Sequence, residues 1–171
     1  YRPRSDYKTL AEHAEGLVCL SGCLAGRVAQ LLLNDRYEDA KAHALEMKAL
    51  FGEDYYLEIQ NHGIEDQIRI NPLLLKLGKE TGIKLVATND VHYLKREDSL
   101  MQEVMMCINT QTTLDDPKHM KFETSEFYLK SREEMEKAFP NMEELLDNTL
   151  EIAEKCSGNC IKLNKINLSL L

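Results

Sequence analysis

The chain has 171 residues, 43% of them hydrophobic and 29% charged, and its formal net charge at pH 7 is −8. This composition is that of a soluble globular protein, and the length is enough for one domain with a hydrophobic core. The negative charge argues against a broad basic face that holds nucleic acid. Any contact with DNA must therefore be local, mediated by a metal ion, or made by other domains.

Membrane attachment and a disulfide framework are not expected. No hydrophobic run approaches the roughly 18 residues of a membrane span, and no signal-peptide pattern opens the chain. The five cysteines are odd in number and scattered, and no two of them form a Cys-x-x-Cys pair. These features predict a reduced, cytoplasmic setting.

Hydrophobic periodicity, capping residues and turn residues predict three strands separated by helices. The strands are predicted at residues 17–20, 55–59 and 85–87. The helices are predicted at residues 7–14, 23–33, 37–51, 72–81, 96–108, 132–138 and 141–155. A short strand at 127–129 and an extended, apolar segment after residue 158 complete the prediction.

Two details of these helices depend on individual residues. Asn71 followed by Pro72 predicts that a helix starts there, with Asn71 as its N-cap. The helix at 96–108 is predicted to bury one hydrophobic face. That face consists of Leu100, Met101, Val104, Cys107 and Ile108.

The order strand, helix, helix, strand, helix, strand, helix predicts an α/β fold with parallel strands and helical crossovers. Three strands with two crossovers do not close a barrel or complete a doubly wound sheet. The chain also begins at Tyr1 rather than Met and ends in an apolar tail, residues 168–171. We therefore expect the chain to be part of something larger. In isolation it is expected to self-associate or to need its missing half.

A polar segment follows each predicted strand. The three segments are Ser21-Gly22-Cys23, Gln60-Asn61-His62-Gly63 and Asn89-Asp90-Val91-His92. Because the carboxyl ends of parallel strands lie on one edge of a sheet, we expect a thiol, one or two imidazoles and a carboxylate to converge there. Sulfur, nitrogen and oxygen ligands together suit zinc or another first-row divalent ion. Such an ion makes hydroxide from bound water near neutral pH, which is the usual arrangement for phosphodiester hydrolysis.

Asp90 and His92 are the central pair of this hypothesis. If the backbone stays extended, its period of two puts both side chains on the same face, as a compact pair of metal ligands. The structural alternative is that Asp90 caps a turn beside a solvated His92.

Structural roles are also open for the other polar residues at this edge. Cys23 at a helix start is, in that alternative, a small buried apolar residue. His62 is then a turn residue or a hydrogen-bond partner of the ligands. Asn61 and Asn89 are turn residues, and Glu58, inside a strand, either points to solvent or pairs in the interior. No role is predicted for the remaining histidines, His13, His43 and His119.

Four segments of the chain resemble the polymerase-and-histidinol-phosphatase (PHP) domain of bacterial DNA polymerase III alpha subunits. They come in the family's order, at similar spacing, across nearly the whole chain. The segments are GLVCLSGCLAG at 16–26, YLEIQNHG at 56–63, LVATNDVHY at 85–93 and KFETSEFYLK at 121–130.

The resemblance implies a fold and a domain division. The family fold is a distorted (β/α)7 barrel with a multinuclear metal site at the carboxyl ends of its strands, and this chain would form part of that barrel. Residues 1–160 are then the later part of a PHP domain. Residues 161–171 are an extended segment that leads to the next polymerase domain, which is absent from this chain.

The resemblance also implies roles for individual residues. The family's later metal ligands map onto Cys23, Asp90 and His92. His62 matches a family motif without being a standard ligand, so it is expected, with Asn61 and Asn89, to support the ligands. The implied metal is zinc or manganese. The family's first-half ligands, beginning with a His-x-His, are not in this chain, so the chain alone leaves the site incomplete and is expected to be inactive.

Three functions remain open at this point. Where the site is complete, the family implies a metal-dependent 3′–5′ exonuclease that proofreads during DNA replication, and retention of the Cys23, Asp90 and His92 ligands favours this type. Where the site has decayed, the domain is a structural module that docks polymerase domains or a proofreading subunit. The third alternative is a small-molecule phosphoesterase of the histidinol phosphatase type, which the matched segments after Asp90 disfavour.

The expected partners follow from the same resemblance. DNA is reached through the parent polymerase, whose nucleotidyltransferase site lies in domains that are absent from this chain. Other replicase subunits are further expected partners, and a membrane is not.

Overall fold

Three parallel strands form the sheet at the centre of the computed structural model, which describes residues 4–158. The strands are β1 (Cys19–Leu20), β2 (Tyr55–Gln60) and β3 (Leu85–Thr88), and they lie side by side in the order β1-β2-β3. β2 pairs with both neighbours in parallel. The prediction of an α/β fold with parallel strands and helical crossovers is therefore confirmed.

Within the described residues, seven α-helices connect and flank the strands. They are α1 (Tyr7–Glu12), α2 (Arg27–Leu33), α3 (Tyr37–Phe51), α4 (Glu65–Thr81), α5 (Ser99–Thr110), α6 (Arg132–Ala138) and α7 (Glu143–Lys155). Short 3₁₀ helices at Gly52–Asp54 and Arg96–Asp98 precede β2 and α5. None of the helices in this part of the chain is long and apolar enough to cross a membrane. The predicted extended segment after residue 158 lies outside the described residues.

The main hydrophobic core lies where α2, α3 and α4 pack together and against the sheet. Leu57 and Ile59 of β2 are at most 1% exposed and lie in this core with Leu32 of α2 and Leu77 of α4. Leu57 and Ile59 share a face because alternate residues of a strand point the same way. Full burial of each such side chain stabilises the fold by roughly 1.5–3 kcal/mol. Glu58, between them, points to the opposite face of the sheet.

Helix α7 covers the outer edge of β3. The Asn148 side-chain amide donates to the Leu85 carbonyl oxygen at 2.7 Å, so a backbone acceptor of the edge strand is satisfied by the helix. The Tyr56 hydroxyl donates to the Glu151 carboxylate at 2.7 Å, and the Lys84 ammonium donates to the same carboxylate at 2.7 Å. An edge covered in this way is protected from pairing with another strand.

The helix predicted to start at Asn71 is the second half of a longer helix, so that prediction is wrong. α4 continues through Pro72, because only the bond from residue 72 to the Ile68 carbonyl is lost. Ile68 is 58% exposed, which lets water replace the missing donor. Asn71 is not an N-cap: its side-chain amide donates to the Gln60 carbonyl at 3.0 Å, at the end of β2.

The predicted burial of the α5 face is also wrong for most of its residues. Leu100, Met101 and Ile108 are 61–67% exposed, whereas Cys107 is 4% exposed. Within residues 4–158, the hydrophobic side of α5 therefore remains on the surface, whereas its Glu103 side is tied to the following loop through His119. Helical periodicity identifies such a face but does not show which part of a protein covers it.

Two further boundaries differ from the prediction. α2 begins at Arg27 rather than Cys23, because residues 23–26 form a turn in which the Gly26 N–H donates to the Cys23 carbonyl at 2.8 Å. The segment 127–129 forms only an isolated parallel bridge between Tyr93 and Tyr128, not a strand.

Candidate functional site

The polar segments that follow the three strands are joined by hydrogen bonds at one edge of the sheet. The Glu58 backbone N–H of β2 donates to the Ser21 hydroxyl at 2.8 Å, after β1. The Thr88 hydroxyl at the end of β3 donates to the Glu58 carboxylate at 2.5 Å. A ring nitrogen of His62, after β2, lies 2.8 Å from the Asn89 carbonyl oxygen, after β3. The expected convergence of polar residues at the carboxyl edge is thus present for the connected residues.

Asp90 and His92 come together, although not for the predicted reason. The backbone does not stay extended, because Asp90 has a left-handed φ of 45°. Aspartate tolerates this conformation better than most residues, and the turn brings its carboxylate to 3.9 Å from Nδ1 of His92. Both side chains are more than a third exposed, so the pair is accessible.

The ring of His92 has a defined tautomer. Its Nδ1 lies 2.8 Å from the Asp90 carbonyl oxygen, which only accepts hydrogen bonds, so Nδ1 carries the proton and donates. Nε2 makes no hydrogen bond within residues 4–158. This is how metal-binding histidines are oriented, with one nitrogen donating to a carbonyl and the other free for a ligand.

Backbone bonds hold the turn that carries this pair. The His92 N–H donates to the Phe127 carbonyl at 2.8 Å, and the Leu129 N–H donates to the Tyr93 carbonyl at 3.0 Å. Phe127 also packs edge-on against the His92 ring, with centroids 5.6 Å apart. The chain from residue 127 to 129 therefore fixes the position of His92 from the side opposite to β2.

His62 is a fully buried structural link and not an exposed turn residue. Its Nε2–H donates to the Asn89 carbonyl, and its Nδ1 accepts from the Gln67 amide at 2.9 Å. Gln67 is fixed in orientation because its oxygen accepts from the His62 backbone N–H at 2.8 Å. The ring stacks on Phe127 at 4.1 Å. Both ring nitrogens are engaged, so His62 has no lone pair for a metal ion and instead holds the residue before Asp90.

The two asparagines at this edge also make structural bonds. The Asn61 amide donates to the Ala138 carbonyl at 2.8 Å, which ties the end of β2 to the end of α6. The Asn89 amide donates to the Tyr128 carbonyl at 2.6 Å, and its side-chain oxygen accepts from the Lys130 ammonium at 3.2 Å. Asn89 is thus held by three residues at once, His62, Tyr128 and Lys130.

Lys130 is nearly buried, with 4% of its side chain exposed, beside the Glu126 carboxylate at 3.5 Å. Burial lowers the pKa of its ammonium, and the neighbouring Glu126 opposes that shift. Its ammonium also lies 4.4 Å from the centre of the Tyr128 ring. This cation is positioned to hold Asn89 and not to meet solvent.

Cys23 lies in the turn between β1 and α2 and is exposed, so the alternative in which it is a buried apolar residue at a helix start is wrong. It lines a narrow cavity of about 10 Å³ together with Glu58, Gln60 and Gln67. That volume is about the least that holds one water molecule.

Glu58, for which two positions were open, pairs in the interior with Thr88 and with the Gln60 amide at 3.1 Å.

Among residues 4–158, no three His, Cys, Asp or Glu side chains come close enough to hold a metal ion. The structure brings Asp90 and His92 together but does not bring Cys23 to them. Asp90 and His92 are suitable donor types for a divalent metal and are accessible, but the nitrogen that faces Asp90 is the protonated Nδ1 and not the free Nε2. These two residues are half of a typical four-ligand site, and a complete site needs further donors.

No pattern in the sequence identifies several of the residues that shape this edge. Gln67 and Lys130 fix the site from an adjacent helix and from the loop before α6, and neither lies in a polar cluster after a strand. The sequence carries no local signal for them, because their roles depend on contacts with Gln60, His62 and Asn89. Thr124, whose hydroxyl donates to the His62 carbonyl at 2.8 Å, is equally hidden in a polar loop.

His119, for which no role was predicted, connects that loop to α5. Its Nδ1 lies 2.5 Å from the Asp116 carbonyl and its Nε2 lies 2.5 Å from the Glu103 carboxylate. Both partners are acceptors, so both ring nitrogens must carry protons, and the ring is an imidazolium. The Asp116 carbonyl and the Glu103 carboxylate raise the pKa of His119, against the effects of burial and Lys121.

A comparison with protein families first shows the class of domain to which part of the chain is similar. Residues 1–62 match the PHP domain family. This range includes Cys23 and His62 and ends before Asp90 and His92. The parallel sheet, the helical crossovers and the polar carboxyl edge described above are consistent with a PHP-type fold.

Curated relatives from three bacteria extend the similarity over most of the chain, and each of the three is a DNA polymerase III subunit alpha. The chain is 49% identical to the protein of Treponema pallidum over 158 residues, which are 92% of the chain and 14% of that protein. It is 45% identical to the Deinococcus radiodurans protein over 160 residues, 92% of the chain and 12% of that protein. It is 44% identical to the Thermus aquaticus protein over 158 residues, 91% of the chain and 13% of that protein.

The predicted resemblance to the PHP region of DNA polymerase III alpha subunits is therefore confirmed. The chain spans only 12–14% of the length of these relatives.

Proposed function

We propose that this chain forms part of a metal-dependent phosphodiesterase site in a DNA polymerase III alpha subunit and acts in DNA replication. The observation that carries the proposal is the accessible Asp90–His92 pair, in which Nδ1 of His92 faces Asp90 and Nε2 makes no hydrogen bond within residues 4–158. Similarity to alpha subunits over most of the chain supports DNA as the substrate. The activity that we propose is a 3′–5′ exonuclease.

In this proposal Asp90 and His92 bind zinc or manganese, Cys23 approaches as a third ligand, and the remaining donors come from outside this chain. A bound divalent ion supplies Lewis-acid chemistry for phosphodiester hydrolysis. The chain's own residues orient the ligands: His62 and Lys130 hold Asn89, and Phe127 holds His92.

The proposal extends to the fold and the setting. The three strands belong to a distorted (β/α)7 barrel, with residues 1–160 as the later part of a PHP domain and residues 161–171 leading to the next domain. DNA reaches the site through the parent polymerase in the cytoplasm, together with other replicase subunits, because a net charge of −8 gives this chain no broad affinity for DNA.

The test is made in the polymerase polypeptide that carries this chain, with a 5′-labelled single-stranded oligonucleotide and added Zn²⁺ or Mn²⁺. Asp90→Asn should lower the rate of 3′-end shortening by at least about a hundredfold, because it removes a metal ligand. Asp115→Asn, in the exposed loop, should leave the rate unchanged. Equal rates in the wild type and in Asp90→Asn would exclude the exonuclease, and hydrolysis of small phosphomonoesters alone would favour the phosphoesterase.

A second candidate function, a module that docks other polymerase domains or a proofreading subunit, is favoured by one specific observation. The α5 face exposes Leu100, Met101, Met105 and Ile108, each at 57–67%. Exposed hydrophobic surface of this extent on one helix marks an interaction site. The two functions are compatible, because α5 and the Asp90–His92 pair are different surfaces.

This second function predicts an effect that appears only in the longer polypeptide. The double variant Met105→Glu and Ile108→Glu should change the stability of the isolated chain by less than about 0.5 kcal/mol, because both residues are exposed. It should lower the melting temperature of the longer polypeptide or release the proofreading subunit. Leu150→Glu, which is 60% exposed on α7, is the matched control. Unchanged melting and unchanged subunit binding would exclude α5 as the docking face.

A further inference from the structure

A cavity of about 230 Å³ lies beside the Asp90–His92 pair, on the other side of Phe122. Phe122 packs against the His92 ring, with centroids 4.7 Å apart, and also forms one wall of the cavity. Tyr93, the residue after His92, forms another wall. We call this cavity the Phe122 pocket. It is smaller than the roughly 300–1,000 Å³ pockets that hold drug-sized ligands, so it suits a single ring system.

The remaining lining of the pocket defines the chemistry of such a ligand. Met106 is apolar and Phe122 is aromatic, which favours a flat ring between them. Glu103 and Glu123 offer carboxylate acceptors, and Ser99 is a small hydroxyl. Carboxylates repel a phosphate group but accept hydrogen bonds from exocyclic amino groups. The pocket therefore suits a flat, amino-bearing heterocycle and disfavours the backbone of a nucleic acid.

We propose that the Phe122 pocket binds the nucleobase of the nucleotide whose phosphodiester is presented to the Asp90–His92 pair. In this arrangement the base packs against Phe122 and donates its amino group to Glu103 or Glu123. Recognition of an unstacked base by an aromatic ring and edge hydrogen bonds is the usual mode for single strands. The proposal rests on the proposed function, and it names how that site would select and hold its substrate.

The pocket should distinguish bases by their amino groups. Adenine and cytosine each carry an exocyclic amine, whereas thymine offers only a carbonyl oxygen at the corresponding position. A carboxylate acceptor thus favours adenine and cytosine over thymine. We expect deoxyadenosine and deoxycytidine to bind at least about fivefold more tightly than thymidine.

The test uses the 171-residue chain and the free nucleosides, followed by amide and aromatic NMR spectra. Nucleosides carry no phosphate, so the outcome does not depend on whether a metal ion binds or any phosphodiester is cleaved. Deoxyadenosine should cause saturable shifts at Phe122, Tyr93 and Ser99. Phe122→Ala should weaken its binding about tenfold, as loss of one stacking aromatic does elsewhere. Leu129→Ala, exposed and outside the pocket, should bind as the wild type does.

Two further variants separate binding from folding. Tyr93→Phe removes only a hydroxyl that is closed off from the pocket, so it should bind deoxyadenosine as the wild type does. Met106→Trp should fill the Phe122 pocket and abolish binding while the amide spectrum stays native. Three results would each overturn the proposal. They are the absence of saturable shifts with any nucleoside, an affinity for thymidine equal to that for deoxyadenosine, and binding that Phe122→Ala and Met106→Trp leave unchanged. If Asp90→Asn loses hydrolysis but binds nucleosides normally, the result concerns only the metal site, and the pocket proposal still stands.

Discussion

His62 and His92 lie at the same edge of the sheet, and each donates one ring N–H to a backbone carbonyl. In His62 the donor is Nε2, and Nδ1 accepts from Gln67, so both nitrogens are used. In His92 the donor is Nδ1, and Nε2 remains available. The same chemical group is thus buried with both nitrogens hydrogen-bonded at one position, and is accessible with one nitrogen unbonded within residues 4–158 at the other, because of what surrounds each ring.

Replacement of His62 should destabilise the chain strongly. His62→Ala removes a fully buried ring, takes away the ring partner of the Asn89 carbonyl and of the Gln67 amide, and should lower the free energy of unfolding by about 3 kcal/mol. Urea denaturation measures this change. His13→Ala, at an exposed position, is the control and should cost less than about 0.5 kcal/mol. A His62→Ala variant as stable as the control would show that the buried ring of His62 does not contribute to the free energy of unfolding.

The His119 imidazolium predicts a stability that depends on pH. Its pKa is raised above the ordinary value of 6.5, first by the Asp116 carbonyl and then by Glu103. A raised folded pKa stabilises the chain fully below the unfolded pKa, and the contribution is lost as pH rises through the folded pKa. The stabilisation that His119 gives to the contact between the loop and α5 should therefore weaken as the pH rises above 6.5.

An NMR titration of the His119 ring protons checks this prediction. The wild-type pKa should lie above 6.5, and Glu103→Gln should lower it, because an anionic acceptor becomes neutral. Glu144→Gln, on α7, should leave it unchanged. A wild-type pKa below 6.5, or one insensitive to Glu103, would mean that the loop is held without an imidazolium.

At the scale of elements, α7 is fastened to the sheet by a charged cluster around Glu151. Hydrogen bonds from Lys84, Tyr56 and Lys155 lower the pKa of Glu151 to about 2 from its ordinary value of 4.5. A lowered folded pKa stabilises the chain above the unfolded pKa, and that contribution is lost as pH falls from 4.5 towards 2. Acid should thus loosen α7 from β3.

Denaturation of Glu151→Gln by urea at two pH values tests this attachment. The variant should be less stable than the wild type at about pH 6, and the difference should shrink at about pH 3, where the Glu151 carboxylate is largely protonated in the unfolded chain but not in the folded chain. Glu154→Gln, exposed on the same helix, should show no pH-dependent difference. A stability difference between the two proteins that is equal at both pH values would show that the ionised Glu151 carboxylate does not cause it.

The sequence predicts most of the helices and strands because their signals are local. Asp6 accepts from the Thr9 N–H at 2.8 Å as an N-cap, and Ser131 with Glu134 forms the predicted capping box. The α4 prediction fails at Pro72 because a favourable start signal is overridden by packing on both sides of it. The α5 prediction fails because periodicity shows that a face is hydrophobic, not what covers it.

The candidate site is predictable only in part for the same reason. Asp90 and His92 are close in sequence, so their pairing follows from local spacing, even though the φ of Asp90 makes the turn different from the one expected. The positions of Gln67, Lys130 and Phe122 around them depend on contacts between elements far apart in the chain. Such contacts leave no pattern in a single sequence.

At the scale of the whole molecule, the chain combines an acidic surface with one accessible ligand pair and one exposed hydrophobic helix. A net charge of −8 leaves DNA to be held by other parts of a polymerase. The site and the α5 face would then be the two places where this chain meets substrate and partner domains. The central claim is that Asp90 and His92 bind a divalent metal ion.

The most direct test of that claim follows the ring nitrogens of the histidines by ¹⁵N NMR while Zn²⁺ is added to the polymerase polypeptide that carries this chain and supplies the remaining donors. Before zinc, Nδ1 of His92 should carry a proton. Zinc should then shift Nε2 of His92 and leave His62 unchanged, and Asp90→Asn should abolish the shift at His92 while leaving any shift at exposed His13 in place. An Nε2 resonance of His92 that does not respond to zinc, or that responds equally in Asp90→Asn, would contradict the claim.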